Sequence, residues 1–122
     1  MPHARMILVV DDDTDNREAV VAFLEGEGYA AEGAEHGEAA LRRLRASDQS
    51  FCLILLDLFM PVMNGWEFRT QQLDDPTLAA LPVVVISADR AAVEHSANLG
   101  AVDTMIKPID FDRLLETVAQ HC

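Results

Sequence analysis

The sequence predicts a doubly wound α/β fold, with five parallel strands in one sheet and five helices covering its two faces. Two observations lead to this prediction. Short apolar runs alternate along the 122 residues with segments whose apolar positions recur at helical spacing. The third run, residues 51–56, is apolar throughout, as a central strand buried on both faces should be. Strands that alternate with helices favour parallel pairing through right-handed crossovers.

Each element has its own signal in the sequence. The strands are expected at residues 6–10, 29–34, 51–56, 83–86 and 104–106. The helices are expected at residues 14–24, 38–44, 66–73, 91–99 and 111–120. Gly26 and Gly28 favour the end of the first helix, and Gly100 is expected to cap the fourth. Neither a linker nor a repeat interrupts the pattern, so residues 1–122 are expected to form one domain.

The charge balance limits the possible partners. The chain has 21 acidic residues against 9 basic ones, which gives a formal net charge of −12. Nucleic acids are bound chiefly through positive charge, so direct nucleic-acid binding is not expected. Lys107 is the only lysine, because the other basic residues are all arginine.

The apolar runs and the cysteines bear on the location of the protein. No run approaches the roughly 20 residues that a membrane-spanning helix needs, and no secretory signal follows Met1. The sequence therefore predicts a cytoplasmic protein with no membrane association. Cys52 lies in an apolar run and is interpreted as a buried free thiol, so a disulfide with Cys122 is not expected.

Polar residues with chemical potential follow the predicted strands. Ligands of doubly wound sheets bind at the carboxyl ends of the strands, where the sequence places Asp11, Asp12, Asp57, Ser87 and Lys107. If the first and third strands are neighbours, the three carboxylates converge and repel one another unless a cation lies among them. Mg²⁺ is the usual cation where oxygen ligands and phosphate meet.

A carboxylate beside Mg²⁺ can attack phosphorus to give an acyl phosphate. The reaction needs mainly positioning and neutralisation of the phosphoryl oxygens. The ammonium group of Lys107 and the hydroxyl of Ser87 are suited to that task. The pattern therefore predicts phosphoryl chemistry at Asp57.

Four stretches in order and at matching spacing resemble the receiver domains of two-component response regulators, the CheY-like superfamily. They are ILVVDDD at 7–13, LILLDLFMPVMNGWE at 53–67, VVVISA at 83–88 and IKP at 106–108. The resemblance covers residues 6–120. It implies the flavodoxin-like strand order 2-1-3-4-5 and a protein that switches partner binding when phosphorylated, without being an enzyme beyond its own phosphoryl transfer and dephosphorylation.

The resemblance also implies roles for individual residues. Asp57 would be the phosphoacceptor. Mg²⁺ would be held by Asp11, Asp12, Asp57 and the backbone carbonyl of Phe59. Ser87 and Lys107 would contact the phosphoryl group, and the Lys107–Pro108 peptide would be cis. Asp13 is instead interpreted as a cap of the following helix.

Three further positions are expected to affect the response. Thr104 stands three residues before Lys107, where receivers commonly carry an aromatic residue that turns inward on activation. Our hypothesis is that the fourth helix, fifth strand and fifth helix still form the responsive face, with a smaller rearrangement. Phe59 and Asp89 flank the site, and a bulky Phe59 is expected to slow the water that attacks the acyl phosphate.

The partners implied are a histidine kinase or histidine phosphotransfer protein, and a downstream target. A stand-alone regulator is expected, and a receiver excised from a hybrid kinase or longer regulator is the alternative. Two remote alternatives share parts of the pattern: a phosphatase of the haloacid-dehalogenase type, whose nucleophile would be Asp11, and a flavodoxin-like FMN carrier. Three aspartates after the first strand would repel the FMN phosphate.

Overall fold

The computed structural model describes residues 5–46 and 50–122, with the backbone alone at residue 97. Within these ranges the strands are β1 (Met6–Val10), β2 (Ala30–Ala34), β3 (Phe51–Asp57), β4 (Val83–Ser87) and β5 (Asp103–Ile106). The helices are α1 (Thr14–Gly26), α2 (Gly37–Ala46), α3 (Gly65–Asp74), α4 (Arg90–His95) and α5 (Phe111–His121). In the same ranges, no helix has both the length and the apolar character needed to cross a bilayer.

The strands form one parallel sheet in the order β2-β1-β3-β4-β5, which confirms the predicted fold and strand order. Every residue of β3 is buried, because β3 is central and covered on both faces. Alternate side chains of the strands point to opposite faces. One face packs against α2, α3 and α4, and the other against α1 and α5.

Side-chain caps fix where the helices begin. The carboxylate of Asp13 accepts a hydrogen bond from the N–H of Asn16 (3.1 Å), so its interpretation as a helix cap is confirmed. Asn64 and Glu67 form a reciprocal capping box at α3. The carboxylate of Asp110 caps α5 by accepting hydrogen bonds from the N–H groups of Asp112 (3.0 Å) and Arg113 (3.2 Å). These caps start the helices close to the carboxyl edge of the sheet, which leaves short loops around the predicted site.

The fourth helix is shorter than predicted. It ends at His95 and continues as a 3₁₀-helix (Ser96–Leu99), rather than remaining α-helical to residue 99. The hydroxyl of Ser96 donates to the carbonyl of Val93 (2.6 Å), and such a bond competes with the regular helical ladder. Gly100 closes the segment with φ of 70°, so the predicted cap is present.

The interpretation of the cysteines is wrong. Cys52 and Cys122 form a disulfide, with their Cα atoms 5.5 Å apart. The bond links the beginning of β3 to the residue that follows α5, across 70 positions of sequence. Periodicity within single elements does not show that the end of one helix reaches the start of a distant strand, so the pairing was missed.

Candidate phosphoacceptor and metal site

The sheet brings the predicted acidic residues together. Val10 pairs with Leu56 in the register of β1 and β3, so the residues that follow them are neighbours at the carboxyl edge. Asp11, Asp12 and Asp57 each offer one carboxylate oxygen, and these oxygens lie within 4.8 Å of one another. The predicted convergence is therefore confirmed, with the difference that Asp57 is the last residue of β3 and not the first residue after it.

Lys107 lies between two of these carboxylates. Its Nζ is 3.0 Å from Oδ2 of Asp11 and 3.3 Å from Oδ2 of Asp57. Asp11 is only 6% exposed and Asp57 only 7%. The Lys107–Pro108 peptide is cis, as expected. The lysine predicted from its strand-end position is thus a direct partner of the two buried acids.

The charges around Asp57 are only partly compensated. Burial raises the pKa of Asp57 to about 6, the positive charge of Lys107 acts in the opposite direction, and the carboxylate of Asp11 adds to the rise. Burial alone would lower the pKa of Lys107, but its hydrogen bonds and ion pairs with Asp11 and Asp57 outweigh this effect and raise it. The site therefore keeps an excess of negative charge that one ammonium group does not neutralise.

The donor set fits a hard divalent cation. Carboxylate oxygens are the ligands that Mg²⁺ prefers, and three of them lie close together at this edge. A divalent cation would also relieve the repulsion between Asp11 and Asp57. The chemistry of these residues therefore matches a magnesium site at this edge.

The loop after β3 shapes the surroundings of Asp57. The N–H of Phe59 donates to Oδ1 of Asp57 (3.3 Å), and the Phe59 ring packs edge-on against Trp66, with centroids 5.5 Å apart. A side chain at Gly65 would come within 2.8 Å of the Asp57 carbonyl oxygen, so the loop can close only on glycine. Val62 has φ of 68°, a costly conformation for a β-branched residue.

The remaining predicted residues occupy three different settings. Ser87 is fully buried as the last residue of β4, and its Oγ accepts a hydrogen bond from the N–H of Asp89 (3.2 Å). The Asp89 side chain caps α4 by accepting from Ala92 N–H (3.1 Å). Thr104 lies in β5, and its carbonyl accepts from Nη2 of Arg113 on α5 (2.9 Å).

Arg17 is a part of the site that the sequence did not reveal. Its Nη1 donates to the backbone carbonyl of Asp11 (2.8 Å), which holds the chain in place where β1 ends. The guanidinium group also lies 3.5 Å from the hydroxyl of Thr14. An arginine on an exposed helical turn is unremarkable in sequence, and only the fold shows that it reaches back to the strand end.

Comparison with known proteins identifies the family. The family model described as "Response regulator receiver domain" matches residues 7–119. The transcriptional regulatory protein ZraR of Klebsiella oxytoca is 36% identical over 93% of this chain, but the chain spans only 25% of its length. Protein PilH of Pseudomonas aeruginosa is 31% identical, with 92% of this chain and 93% of PilH covered.

A solved structure agrees with these matches. The response regulator receiver protein of Pseudomonas putida superposes with a TM-score of 0.90 at 33% identity, and the alignment covers 98% of this chain and 99% of that one. The family model, the relatives and the fold all favour a receiver over the phosphatase and FMN alternatives. The chain belongs to the response regulator receiver family, whose members are signalling domains activated by phosphorylation.

Proposed function

We propose that Asp57 is the residue of this receiver that accepts the phosphoryl group. The observation that carries the proposal is the contact of one buried ammonium, Lys107, with both Asp57 and Asp11 at the carboxyl edge of the sheet. An oxygen of the Asp57 carboxylate attacks phosphorus of a phosphohistidine donor and forms a P–O bond. The P–N bond breaks, and the departing imidazole keeps its electron pair and takes up a proton.

The metal ligands of the proposal are the carboxylates of Asp11, Asp12 and Asp57 and the backbone carbonyl of Phe59. Receiver domains generally use Mg²⁺, and the acidic cluster supplies suitable oxygen donors. When bound, Mg²⁺ neutralises negative charge on the phosphoryl oxygens in the transition state. Asp12 is exposed, so it is accessible to an ion that arrives from solvent.

Lys107 and Ser87 would hold the phosphoryl group after transfer. Lys107 Nζ already lies 3.3 Å from Oδ2 of Asp57 and needs only a small displacement to contact an oxygen of the attached group. The Ser87 hydroxyl is buried and engaged with the N–H of Asp89, so it has to exchange that contact for a phosphoryl oxygen. Because Asp89 caps α4, loss of its bond to Ser87 would transmit phosphorylation to the beginning of that helix.

Mass spectrometry after incubation with acetyl phosphate and Mg²⁺ tests the proposal. The parent protein should gain the mass of one phosphoryl group, and Asp57→Asn should gain none. Asp13→Asn is the matched control, because Asp13 is a nearby acid that caps α1 and asparagine caps equally well. Uptake by Asp57→Asn would contradict the assignment.

We also infer that the signal leaves through α4, β5 and α5 with a small rearrangement at Thr104. Thr104 lacks the bulk of an aromatic residue, and its carbonyl is bonded to Arg113 on α5. Movement of β5 is therefore transmitted to α5 through this bond. Amide chemical shifts of these three elements should change when beryllofluoride and Mg²⁺ are added, and unchanged shifts would overturn the inference.

The lifetime of the acyl phosphate is proposed to depend on Phe59. This ring is 52% exposed and leans against Trp66, so it stands beside Asp57 as a barrier to water. Phe59→Ala should shorten the phosphoryl lifetime severalfold in a mass-resolved decay measurement. Leu73→Ala is a suitable control, since Leu73 is also a large exposed apolar residue but belongs to the far part of α3. Equal lifetimes for the parent and Phe59→Ala would reject this role.

The partners follow from the family and from the charge. We propose a histidine kinase or a histidine phosphotransfer protein as the donor, a protein target on the α4–β5–α5 face, and a cytoplasmic location. The net charge of −12 supports protein partners over nucleic acid. Incubation with a phosphorylated phosphotransfer protein should move its label to the parent chain, but not to Asp57→Asn.

A further inference from the structure

Cys52 occupies an irregular position at the beginning of β3. Met6 pairs with Phe51 and Ile7 pairs with Leu53, so the register of β1 and β3 shifts and Cys52 is the extra residue. Such an irregularity can redirect a side chain. Cys52 and Leu53 both belong to the apolar cluster on the α1–α5 side of the sheet, whereas Phe51 faces the opposite side. The shift therefore turns Cys52 towards α5.

Cys122 lies near Cys52 because the helical period of α5 places it on the face that packs against the sheet. Leu114, Val118 and Cys122 are four residues apart, and residues at this spacing share one helical face. Leu114 and Val118 are fully buried against the sheet, and the N–H of Cys122 donates to the carbonyl of Val118 (2.8 Å). Cys122 thus lies on the same face of the helix, at its exposed end, and its Cα is within disulfide range of the Cα of Cys52.

We propose that Cys52 and Cys122 are a reversible redox site that fastens the last turn of α5 to β3 when oxidised and releases it when reduced. The proposal rests on the cytoplasmic location proposed above, because disulfides of cytosolic proteins are usually transient and redox-sensing. Oxidation forms the S–S bond and removes two electrons and two protons from the thiols. Glutathione disulfide accepts them and is reduced to two glutathione thiols.

The two sulfurs are unequally accessible, and this difference couples the bond to the order of α5. Cys52 is only 3% exposed, whereas Cys122 is exposed. A thiolate that attacks the Cys122 sulfur must expel the Cys52 thiolate among apolar side chains, where charge is poorly solvated. Attack on the Cys52 sulfur is blocked by burial. Rapid exchange therefore requires the last turn of α5 to open.

The redox site is separate from the phosphoacceptor. Cys52 and Asp57 lie near opposite ends of β3, and five residues of strand span about 17 Å. Oxidation should therefore alter the end of α5 without altering phosphoryl uptake at Asp57. Because the two sites respond independently, failure of either proposal can be recognised without failure of the other.

Equilibration of the native chain with glutathione buffers of rising oxidation tests whether the pair is reversible. The buffers are quenched with an alkylating agent and the products are weighed by intact-mass spectrometry. As the buffers become more oxidising, the chain should change from two alkylated thiols to none, because the disulfide forms. The change should be fully reversible, and no glutathione adduct should remain. Two unpaired thiols at the most oxidising ratio, or a bond that forms only in denaturant, would overturn the proposal.

Hydrogen exchange then tests the link to α5. Reduction should accelerate exchange of the Cys122 amide and its neighbours in the last turn by about tenfold, while amides of β1 and β3 keep their rates. It should also lower the melting temperature by about 10 °C, since the bond closes a long loop. Equal exchange in the two redox states would overturn the proposal.

Cys122→Ser provides the matched control, because residue 122 is exposed and its replacement leaves no cavity in the core. The amide hydrogens of this variant should exchange at the rates of the reduced parent chain, and reductant should not change these rates. It should still gain one phosphoryl group from acetyl phosphate. If the parent forms the bond but gains no phosphoryl group, the redox proposal stands and the proposed function fails.

Discussion

Two clusters of buried polar side chains in the described part of this receiver differ in the groups that surround their charges. At the carboxyl edge, Asp11 and Asp57 share Lys107. Beneath α3, Arg69 donates to the carbonyl of Leu99 (2.8 Å) and to Oε1 of Gln72 (2.8 Å). Further bonds run from Arg69 to the carbonyl of Gly100 (3.4 Å), and from Gln72 to the carbonyls of Leu78 (2.9 Å) and Leu81 (3.0 Å).

The difference separates a structural cluster from a reactive one. Neutral carbonyls surround Arg69, whose hydrogen bond to Leu99 ties α3 to the 3₁₀-helix. Gln72 ties α3 to the segment that precedes β4. The cluster around Asp57 has more carboxylates than cations, and burial together with the Asp11 carboxylate raises the pKa of Asp57. A fully paired buried network adds rigidity. An incompletely compensated one can gain stability by taking up a cation.

The largest effect is expected at the structural cluster. Arg69→Ala should lower the free energy of unfolding by about 4 kcal/mol, because several buried acceptors lose a charged donor and a cavity remains. Urea denaturation measures the change. Arg42→Ala, which removes an exposed arginine, should stay within about 0.5 kcal/mol of the parent. If the two variants are equally stable, the Arg69 cluster is not structural and the comparison fails.

Mg²⁺ should stabilise the folded protein by binding at the cluster around Asp57, and not at the Arg69 cluster. At a concentration a hundredfold above its dissociation constant, it should raise the free energy of unfolding of the parent by about 2.7 kcal/mol. Asp12→Asn should lose most of this gain, and Asp13→Asn should keep it. Urea titrations with and without Mg²⁺ give the values. If Mg²⁺ raises the free energy of unfolding equally in both variants, Asp12 is not a metal ligand.

Removing the charge of Asp57 should stabilise the metal-free chain at alkaline pH. The pKa of Asp57 is about 6 in the folded protein against an ordinary 3.8, so the folded state binds more protons between these pH values. Stability therefore falls as the pH rises through this window. With a chelator present, Asp57→Asn should be more stable than the parent by about 2 kcal/mol at pH 8, and this advantage should vanish near pH 4. An advantage that is independent of pH would contradict the charge argument.

The smallest effect concerns strain in the loop beside Asp57. Val62 has φ of 68°, which costs about 1–2 kcal/mol for a residue with a β-carbon. Val62→Gly removes this cost but increases the freedom of the unfolded chain, so a net gain of about 0.5 kcal/mol is expected. Thermal unfolding measures it, with Val102→Gly as a control at an exposed valine without positive φ. A stability loss in Val62→Gly as large as that of the control would show that the loop is not strained.

The fold and the reactive cluster were predictable because their signals are local. Apolar runs and helical spacing gave the elements, and the strand order then placed Asp11 and Asp57 side by side. The Arg69 cluster carries no such signal, since an arginine in a polar stretch of helix is normally exposed. Its burial depends on carbonyls that the 3₁₀-helix supplies, about 30 residues farther along the chain.

The errors have a similar origin. The disulfide depends on a register shift between β1 and β3 and on the reach of α5, and neither is visible in the sequence of a single element. The early end of α4 depends on one hydroxyl, that of Ser96, which takes a helical carbonyl. Sequence patterns therefore predict which residues are buried better than which polar partners they find.

The six-residue length of α4 has a further consequence for signalling. Isolated helices shorter than about 12 residues do not persist in water, because few bonds follow the costly first turn. This helix is capped by Asp89 and buries Ala92 and Val93, so we expect it to depend on these contacts. A change at Ser87 that withdraws the Asp89 contact would act on a short helix that depends on its cap and its packing. Among the described helices, the fold thus places the shortest α-helix beside the proposed phosphoacceptor, where a modest free-energy input would be enough to order or disorder it.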